Sequence, residues 1–490
     1  MPMMIRGRQR ALLVFVAAIA YAAALPPLGV WPLGWLALTP LWIAVVGLRP
    51  GRAFLLGLGF KLMLGALVAP WLPGMLARYL LLPAPLATLA AGGVYALVAG
   101  VQFGACCAWL AWATARGPLA APLVGCALWL SELARCATPI PFGLLAATQA
   151  PAPVFLQIAE GVGGLGVGAL MAALAAALAG VFAPPLRASS GVAAGIAAAL
   201  CASLAFGAFR LREAPPAAAL AVAVMGADSR GAARFRTLDR AALSALVERT
   251  RAAGRAGARL VLWPELVLGV SPAREPAARA PIAAVSRAQD VDVAFGALGV
   301  APPARATNSY YVVRAGVWAD QYDKQRLLEP GETRGFGGPL GGSGFAAGSG
   351  GHPLRSRFAA LGVLLCSEAM FPALARERVL AGATLLVNPS NDVWFGARAG
   401  SEQQLAWVSL RAIELRRSLL RPAANGATAA VDPWGRIARA EPTREPATLF
   451  ARVPLRSDLT LYARIGDAPA LGAAALLIVD ALRRARAQRP

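Results

Sequence analysis

Histidine and charged side chains are scarce in this chain of 490 residues. Only 15% of the residues are charged and 58% are apolar, whereas a soluble domain carries about 25% charged and about 45–50% apolar residues. This composition excludes an ordinary soluble globular protein. It also excludes intrinsic disorder, because a chain this apolar can offset its ordering entropy by burial. The single histidine, His352, argues against a metal centre, and we expect neither a metal nor a cofactor.

Acidic residues are scarce as well. The chain has 25 acidic and 47 basic residues, which gives a net charge of +22. In a soluble protein this excess would suggest nucleic-acid binding, but no recognition motif accompanies it. The arginines instead flank long apolar runs, which indicates contact with an anionic membrane surface. We therefore expect membrane lipids, and no nucleic acid, as partners.

Long apolar runs are abundant. A bilayer crossing takes about 20 apolar residues, and eight runs approach or exceed that length. They lie near residues 11–29, 31–48, 53–73, 87–113, 118–135, 160–183, 191–209 and 467–482. The chain is therefore predicted to contain a polytopic α-helical membrane domain of about eight spans. A competing interpretation of the first run is a cleaved signal peptide, since three arginines precede it, but the further spans argue against cleavage.

The arginines between these runs predict an orientation. One set of ends and loops carries Arg6, Arg8, Arg10, Arg49, Arg52, Arg116, Arg187, Arg483, Arg484, Arg486 and Arg489. The opposite short loops carry only Arg78 and Arg135. Basic loops stay on the cytoplasmic side, so both termini are expected there. The resulting division is a membrane domain with seven spans (1–212), an extracytoplasmic domain (213–465), and an eighth span with a basic cytoplasmic tail (466–490).

Between the seventh and eighth runs, short apolar strands alternate with helices. Strands are predicted near 218–227, 258–265, 291–299, 308–314, 358–366, 383–389, 426–437 and 447–454, and helices near 237–256, 275–289, 371–381 and 401–420. This alternation is typical of an α/β fold in which helices cover one face of a sheet.

A glycine-rich stretch interrupts that alternation. Residues 335–351 include nine glycines in seventeen positions, so backbone entropy opposes a single conformation. We expect a mobile loop. It is either an unimportant linker or a lid in which Phe336 and Phe345 meet an apolar ligand or the membrane.

Cys366 is the one cysteine of the extramembrane segment. It follows a buried strand and leads into a helix, an arrangement that holds a thiol out of the sheet. A core cysteine at a strand end is the competing interpretation. Because histidine is almost absent, a nucleophilic Cys366 would need another base. Glu265 closes a strand, and Lys324 is one of only two lysines in the chain, so both are candidates.

At these residues the sequence resembles a known family. The segments WPE265, YDK324, LLEPGE332 and LLC366SE368, in that order, are similar to the Glu-Lys-Cys signature of the nitrilase, or carbon–nitrogen hydrolase, superfamily. A domain of this kind inserted between a seventh and an eighth membrane span resembles the apolipoprotein N-acyltransferase family. NPSNDVWFG (388–396) and the text of 411–437 and 459–467 are similar to that family too. The resemblance implies an αββα nitrilase-like sandwich.

The resemblance also implies roles for individual residues. Cys366 corresponds to the nucleophile, Glu265 to the general base, and Lys324, with the Ser367 N–H, to the groups that stabilise the oxyanion. The resemblance implies supporting roles for Glu332, Glu368 and Asn308. For each of them, a hydrogen bond that orders a loop is an equally good explanation. There are departures: Ser367 stands where the family usually has Tyr, Phe235 stands about where a Trp is expected, and Gln403-Gln404 replaces text that more usually contains His. Trp394 either packs under the site or is a core aromatic.

The implied activity is transfer of a fatty acyl chain from a phospholipid, through a Cys366 thioester, to the N-terminal amine of a diacylglyceryl-cysteine lipoprotein. The implied location is the bacterial inner membrane, with the catalytic domain on the periplasmic side. One alternative is a membrane-tethered carbon–nitrogen hydrolase or amidase that passes the acyl group to water. A second is a scaffold or transporter with an inactive nitrilase-like domain. The oligomeric state stays open.

Overall fold

The computed structural model describes residues 5–213, 219–228, 237–301, 305–329, 331–333, 344–396, 398–440 and 446–487. The chain forms two compact units. One consists of Met1–Pro73, Pro85–Glu213 and Arg464–Pro490, and the other of Gly74–Ala84 and Ala214–Ala463.

Helices make up the first unit. They are α1 (Gly7–Ala24), α2 (Pro32–Leu36), α3 (Leu38–Val45), α4 (Pro50–Val68), the start of α5 (Leu72–Leu80), α6 (Ala84–Tyr95), α7 (Val101–Thr114), α8 (Ala121–Cys136), α9 (Ala159–Ala179) and α10 (Ser190–Leu211). A π-helical turn, Ala96–Gly100, joins α6 to α7. After the second unit, α15 (Leu461–Ile465) leads into α16 (Pro469–Arg486).

Five helical segments of the described part are long and apolar enough to cross a membrane: Gly7–Ala24, Pro50–Val68, Ala84–Thr114, Ala159–Ala179 and Ser190–Leu211. The other three predicted spans are helical but differ from the expectation. The second is split at Ala37 into α2 and α3. The fifth has only 16 residues, about 24 Å of helix against a hydrocarbon core of about 30 Å. The eighth carries three arginines in its last turn.

Two sheets form the second unit. The first contains β1 (Ala219–Met225), β2 (Leu260–Leu262), β3 (Asp292–Ala301), β4 (Arg305–Arg314), β5 (Val317–Asp323) and β14 (Thr448–Pro454) in the order β14-β1-β2-β3-β4-β5. The strands β1, β2 and β3 run parallel. The strands β3, β4 and β5 form an antiparallel meander.

The second sheet contains β6 (Leu354–Arg355), β7 (Ala360–Val363), β8 (Leu385–Val387), β10 (Leu419–Arg421), β12 (Ala429–Val431) and β13 (Ile437–Arg439). Its order is β13-β12-β10-β8-β7-β6, with β7, β8 and β10 parallel. A separate two-stranded parallel pair joins β9 (Ser390–Asn391) to β11 (Ala423–Ala424).

The two sheets pack face to face. Their shared core contains side chains such as Val224 and Leu262 from the first sheet and Val363 and Val387 from the second. The other face of the first sheet packs against α11 (Arg240–Arg255) and α12 (Pro276–Ala288). The second sheet is contacted by α13 (Pro372–Leu380) at β7 and by α14 (Arg398–Leu415) at β10. The predicted αββα sandwich is therefore confirmed.

Helix α11 illustrates how local sequence specifies an element. Its buried residues Leu243, Leu246, Val247 and Thr250 recur at helical spacing. The Asp239 carboxylate accepts a hydrogen bond from the Ala242 N–H at 2.9 Å and so caps the first turn.

Two predicted elements differ in the structure, and the structure contains strands that were not predicted. The helix expected over 401–420 ends at Leu415, where Arg416 adopts a φ of +48° and turns the chain into β10. The strand expected over 426–437 is the hairpin β12–β13. The strand β5 was not predicted. Its residues are mostly half-buried, so it lacks the continuous apolar run that marks its neighbours.

Candidate active site

Three strand ends converge on one polar cluster in the second unit. Glu265 follows β2, Lys324 directly follows β5, and Cys366 follows β7. The side chains of Glu265 and Lys324 are only 2% and 1% exposed. The structure therefore brings together residues that are more than forty positions apart in sequence. It also buries the Glu265 carboxylate and the Lys324 ammonium away from water.

Lys324 lies between two carboxylates. Its Nζ donates to Glu332 Oε1 at 2.8 Å and to Glu265 Oε1 at 3.4 Å. Asn308 Nδ2 also donates to Glu265 Oε1, at 2.8 Å, and the Asn391 N–H donates to Glu265 Oε2 at 2.9 Å. Both Glu265 oxygens are thus held by fixed donors. A base oriented in this way needs little reorganisation to accept a proton.

Burial and charge shift the pKa values of this pair. Burial raises the pKa of Glu265 above its usual value, the Lys324 ammonium opposes that rise, and the Glu332 carboxylate adds to it. Burial alone would lower the pKa of Lys324, but Glu332 and Glu265 together hold it well above its usual value. Lys324 is therefore a permanent cation, while Glu265 keeps a basic carboxylate suited to proton transfer.

Cys366 sits on a strained bend. Its φ is +47°, a left-handed conformation that residues other than glycine rarely adopt. The Cys366 N–H donates to the Pro389 carbonyl at 2.7 Å, and Asn388 Nδ2 donates to the Cys366 carbonyl at 3.0 Å. These bonds hold the bend between β7 and a short 3₁₀ helix, Cys366–Met370. Cys366 therefore lies at a strand-to-helix bend, where the sequence places it.

The thiol of Cys366 is hard to ionise without help. Burial and the nearby Glu265 carboxylate raise its pKa to about 12, and Lys324 acts in the opposite direction. Since the thiolate is the reactive form, the free thiol needs a base that removes its proton during attack. The Glu265 carboxylate is near enough to influence the thiol electrostatically, and it is the candidate for that base.

Glu368 holds the segments that carry the site. Its buried carboxylate accepts hydrogen bonds from the Tyr322 hydroxyl at 2.8 Å, from the Gln325 and Arg326 N–H groups at 2.8 and 3.0 Å, and from the Leu365 N–H at 2.7 Å. It therefore ties the backbone after Lys324 to the backbone before Cys366. These contacts correspond to the loop-ordering interpretation of this residue.

The remaining supporting residues lie close to the cluster. Asn308, on β4, is buried and reaches Glu332 Oε1 at 3.5 Å in addition to Glu265. Ser367 is buried directly after the cysteine, and its hydroxyl oxygen has no hydrogen-bond partner among the described residues. The half-buried Trp394 lies in the 3₁₀ turn Asp392–Trp394. Its ring is about 4.0 Å from where a Cβ on Gly331, beside Glu332, would lie.

The proposed lid requires a correction. Phe345 is only 6% exposed and packs against Leu266 and Leu298, so it belongs to a small apolar core beside Glu265 and not to an exposed loop. Phe336 and Phe235 lie outside the described residues.

The second half of the glycine-rich stretch is also more ordered than expected. Phe345, Ala346 and Gly348 each donate a backbone hydrogen bond, to the carbonyls of Glu332, Ala306 and Lys324, at 2.7, 2.8 and 2.8 Å. Glycine permits this close approach, because a Cβ on Gly348 would lie 2.2 Å from the Asp323 carbonyl oxygen. Residues 344–351 therefore brace the Lys324 strand. The first half of the stretch, 335–343, lies almost entirely outside the described residues.

Sequence reasoning missed a polar network next to the cysteine. Ser390 Oγ lies 3.4 Å from Cys366 Sγ, and Asp392 and the fully buried Arg421 bond to Ser390 in turn. The available signal was the polar segment NPSND, which follows the apolar strand β8 directly. Within the described residues, no group of three or more His, Cys, Asp or Glu side chains could hold a metal ion.

Two family models match the chain. A carbon-nitrogen hydrolase model matches residues 221–459, and a model of the apolipoprotein N-acyltransferase N-terminal domain matches residues 17–177. The first match contains Glu265, Lys324 and Cys366. The second contains three of the five membrane-length helices in whole or in large part, and the last eight residues of Gly7–Ala24.

Similar proteins are named apolipoprotein N-acyltransferases. One from Shewanella oneidensis is 42% identical over 125 residues, 25% of this chain and 24% of the relative. One from Azotobacter vinelandii is 33% identical over 244 residues, 47% of each protein. The chain thus spans from about a quarter to about half of the length of these relatives. Among solved structures, an amidase from Nesterenkonia sp. is 20% identical, with a TM-score of 0.42, covering 52% of this chain and 97% of the amidase.

Proposed function

We propose that this chain, a member of the carbon–nitrogen hydrolase superfamily that resembles apolipoprotein N-acyltransferases in both matched segments, moves a fatty acyl chain from a phospholipid to the N-terminal amine of a diacylglyceryl-cysteine lipoprotein. The observation that carries the proposal is the buried Glu265–Lys324–Glu332 cluster, which shares its electrostatic environment with the cysteine on a strained bend. The membrane helices supply the reason for a lipid substrate.

In the first half-reaction, Glu265 accepts the thiol proton as Cys366 Sγ attacks the ester carbonyl carbon of the phospholipid. A tetrahedral intermediate forms, and its oxyanion is stabilised by the Lys324 ammonium. The intermediate collapses, the ester C–O bond breaks, and the departing alkoxide of the lysophospholipid takes the proton from Glu265. The acyl chain remains on Cys366 as a thioester, an activated carrier.

In the second half-reaction, the amine of the lipoprotein attacks the thioester carbonyl. Glu265 accepts a proton from the amine, an amide bond forms, and the C–S bond breaks. The Cys366 thiolate then recovers its proton from Glu265, so the enzyme returns to its starting state. Lys324 again faces the developing oxyanion. A fixed donor of this kind typically contributes about 10²–10³ in rate.

The membrane unit suits an acyl donor that is itself a bilayer component. Phospholipid and diacylglyceryl lipoprotein both reside in the membrane, so tethering the site to membrane helices removes the need to extract either substrate into water. The proposed location is the bacterial inner membrane, with the site on the periplasmic side and both termini cytoplasmic. The loop arginines support this orientation.

Mass spectrometry of the purified full chain tests the proposal. After incubation with phospholipid, wild-type protein should carry one acyl group on Cys366, and adding a diacylglyceryl-cysteine peptide should discharge it as an N-acyl peptide. Cys366→Ser should lose turnover, because a hydroxyl is far less ionised than a thiol near neutral pH. Cys201→Ala removes an exposed cysteine of the membrane unit and serves as the matched control.

The other outcomes separate the alternatives. Discharge to free fatty acid at the same rate with and without peptide would indicate an amidase-like hydrolase. Absence of any adduct on Cys366, together with absence of acylated peptide, would indicate an inactive scaffold. Acyl transfer by Cys366→Ala at near the wild-type rate would contradict the covalent mechanism.

A further inference from the structure

A buried ionic network lies directly beneath the cysteine bend. Arg421 Nη2 donates to both carboxylate oxygens of Asp392 at 2.9 Å and to Gln404 Oε1 at 3.0 Å. The Ser401 hydroxyl also donates a hydrogen bond to Asp392 Oδ2. Arg421 is fully buried, and Asp392 is nearly so. A buried ion pair is stable only where hydrogen bonds compensate its desolvation; here the Arg421 Nε is the one guanidinium nitrogen without a partner among the described residues.

Ser390 connects this network to the sulfur. Its oxygen lies 3.1 Å from Arg421 Nη2, which is within hydrogen-bonding distance. Its single hydroxyl proton has two acceptors within reach: Asp392 Oδ1 at 2.6 Å and Cys366 Sγ at 3.4 Å. Ser390 is completely buried, so water does not compete for that proton. The rotation of one O–H bond therefore decides whether the carboxylate or the sulfur receives a hydrogen bond.

We propose that Ser390 is a further catalytic residue, which turns its hydroxyl from Asp392 to the Cys366 sulfur as the thiolate forms. The inference rests on the proposed function, in which Cys366 is the nucleophile. The thiol proton passes to Glu265, while Ser390 keeps its own proton and changes only its acceptor. Asp392 tolerates the loss, because Arg421 and Ser401 continue to donate to it.

The need for such a donor follows from the charges around the sulfur. Glu265 and Asp392 both oppose ionisation of Cys366, and burial opposes it more strongly. Lys324 favours the thiolate, but its ammonium is already engaged by Glu332 and Glu265. A neutral hydroxyl that redirects its proton supplies a hydrogen bond to the anion without adding a buried charge. When the thioester forms and the sulfur is neutral again, the hydroxyl rotates back and donates its hydrogen bond to Asp392.

The rate at which iodoacetamide alkylates Cys366 reports the fraction of the thiol that is ionised, and it does not require acyl transfer. The full-length protein is reacted over a pH series, and the Cys366 peptide is quantified by mass spectrometry. Because a hydrogen bond to a charged group is lost, Ser390→Ala should react about tenfold more slowly near neutral pH, with the apparent thiol pKa raised by about one unit. Ser409→Ala removes another buried serine hydroxyl, which donates to the Ala406 carbonyl and is not part of this network, and it should stay within about twofold of wild type.

Two results would overturn the inference: an alkylation profile of Ser390→Ala that matches wild type, or an equal slowing by Ser409→Ala. If Ser390→Ala does not fold, Ser390→Thr and Ser390→Val form a second comparison, since they share a shape and differ in the hydroxyl. Cys366 should then be alkylated about tenfold faster in Ser390→Thr than in Ser390→Val, and equal rates would contradict the proposed role of the Ser390 hydroxyl. A wild-type Cys366 that takes no acyl group from phospholipid would refute the proposed function, while the alkylation series still decides the role of Ser390.

Discussion

At the residue scale, the site holds one buried cation between two buried carboxylates. Lys324 can neutralise only one negative charge, so the second carboxylate is held at a cost in desolvation. That cost raises the pKa of Glu265. A raised carboxylate pKa means that Glu265 is still partly protonated at pH values where a free glutamate, with a pKa of about 4.3, is ionised. Its capacity as a base therefore appears only as the pH rises.

This charge arrangement predicts the pH dependence of acyl loading. The loading rate should rise with pH through the elevated pKa of Glu265, above the range of an ordinary glutamate. It should then stay level through neutral pH, because Lys324 remains protonated. The measurement is the single-turnover rate of acyl-Cys366 formation between about pH 5 and about pH 9.

Glu332→Gln provides a directional check. It removes a negative charge that raises the pKa of Glu265 and leaves Lys324 to pair with Glu265 alone. The rising limb should therefore move to lower pH. A limb that stays in place, or moves to higher pH, would show that Glu265 is not the group that titrates.

At the element scale, the position of Lys324 depends on a segment with little side-chain volume. Gly348 donates its N–H to the Lys324 carbonyl at 2.8 Å, and its Cα lies directly against the Asp323 backbone. Since β5 is the edge strand of its sheet, this segment is what braces it on the open side. Glycine is required here for close approach and not for conformational freedom.

Gly348→Ala should therefore damage the site without unfolding the domain. Its Cβ would stand 2.2 Å from the Asp323 carbonyl oxygen, so the segment or the strand must shift, and Lys324 moves with it. A displacement of about 1 Å can cost about a hundredfold in rate. Acyl-loading rates and circular dichroism spectra measure the two effects separately.

Gly331→Ala is the matched control for this substitution. It lies in the same neighbourhood, but its Cβ would meet the Trp394 ring at an ordinary 4.0 Å. It should keep most of the wild-type rate. Equal rates for Gly348→Ala and wild type would mean that residues 344–351 can shift without moving Lys324.

At the scale of the whole molecule, the basic side chains are distributed unevenly along the membrane segments. Arginines cluster before the first helix, between α3 and α4, and at the end of α16. Basic loops resist translocation, so these clusters favour a cytoplasmic position for both termini.

Topology reporters fused after Gly226 and after Pro490 test that orientation. The first should report a periplasmic position and the second a cytoplasmic one, because basic loops resist translocation. Both fusions reporting from the same side would contradict the predicted arrangement.

The sequence alone determined the classes of element and three of the site residues. Apolar runs of bilayer length predict membrane helices, and runs of four to eight residues between helices predict buried strands. The reason is that the burial of a segment fixes the spacing of the apolar residues within it. Glu265, Lys324 and Cys366 were candidates because Glu265 and Cys366 end strands and lysine is rare in this chain, and the resemblance to the nitrilase superfamily joined them into one signature. These signals are carried by residues adjacent in the chain.

Only the tertiary structure decided which distant residues share an environment. Ser390 and Arg421 have no local feature that assigns them to Cys366. Their relation arises because parallel strands of the second sheet end at one edge and the chain returns there after α14. Phe345 was expected to be exposed because its glycine-rich neighbours indicated a loop, yet packing against Leu266 and Leu298 buries it. Pairwise contacts, pKa shifts and burial depend on distances between segments, and local composition does not encode those distances.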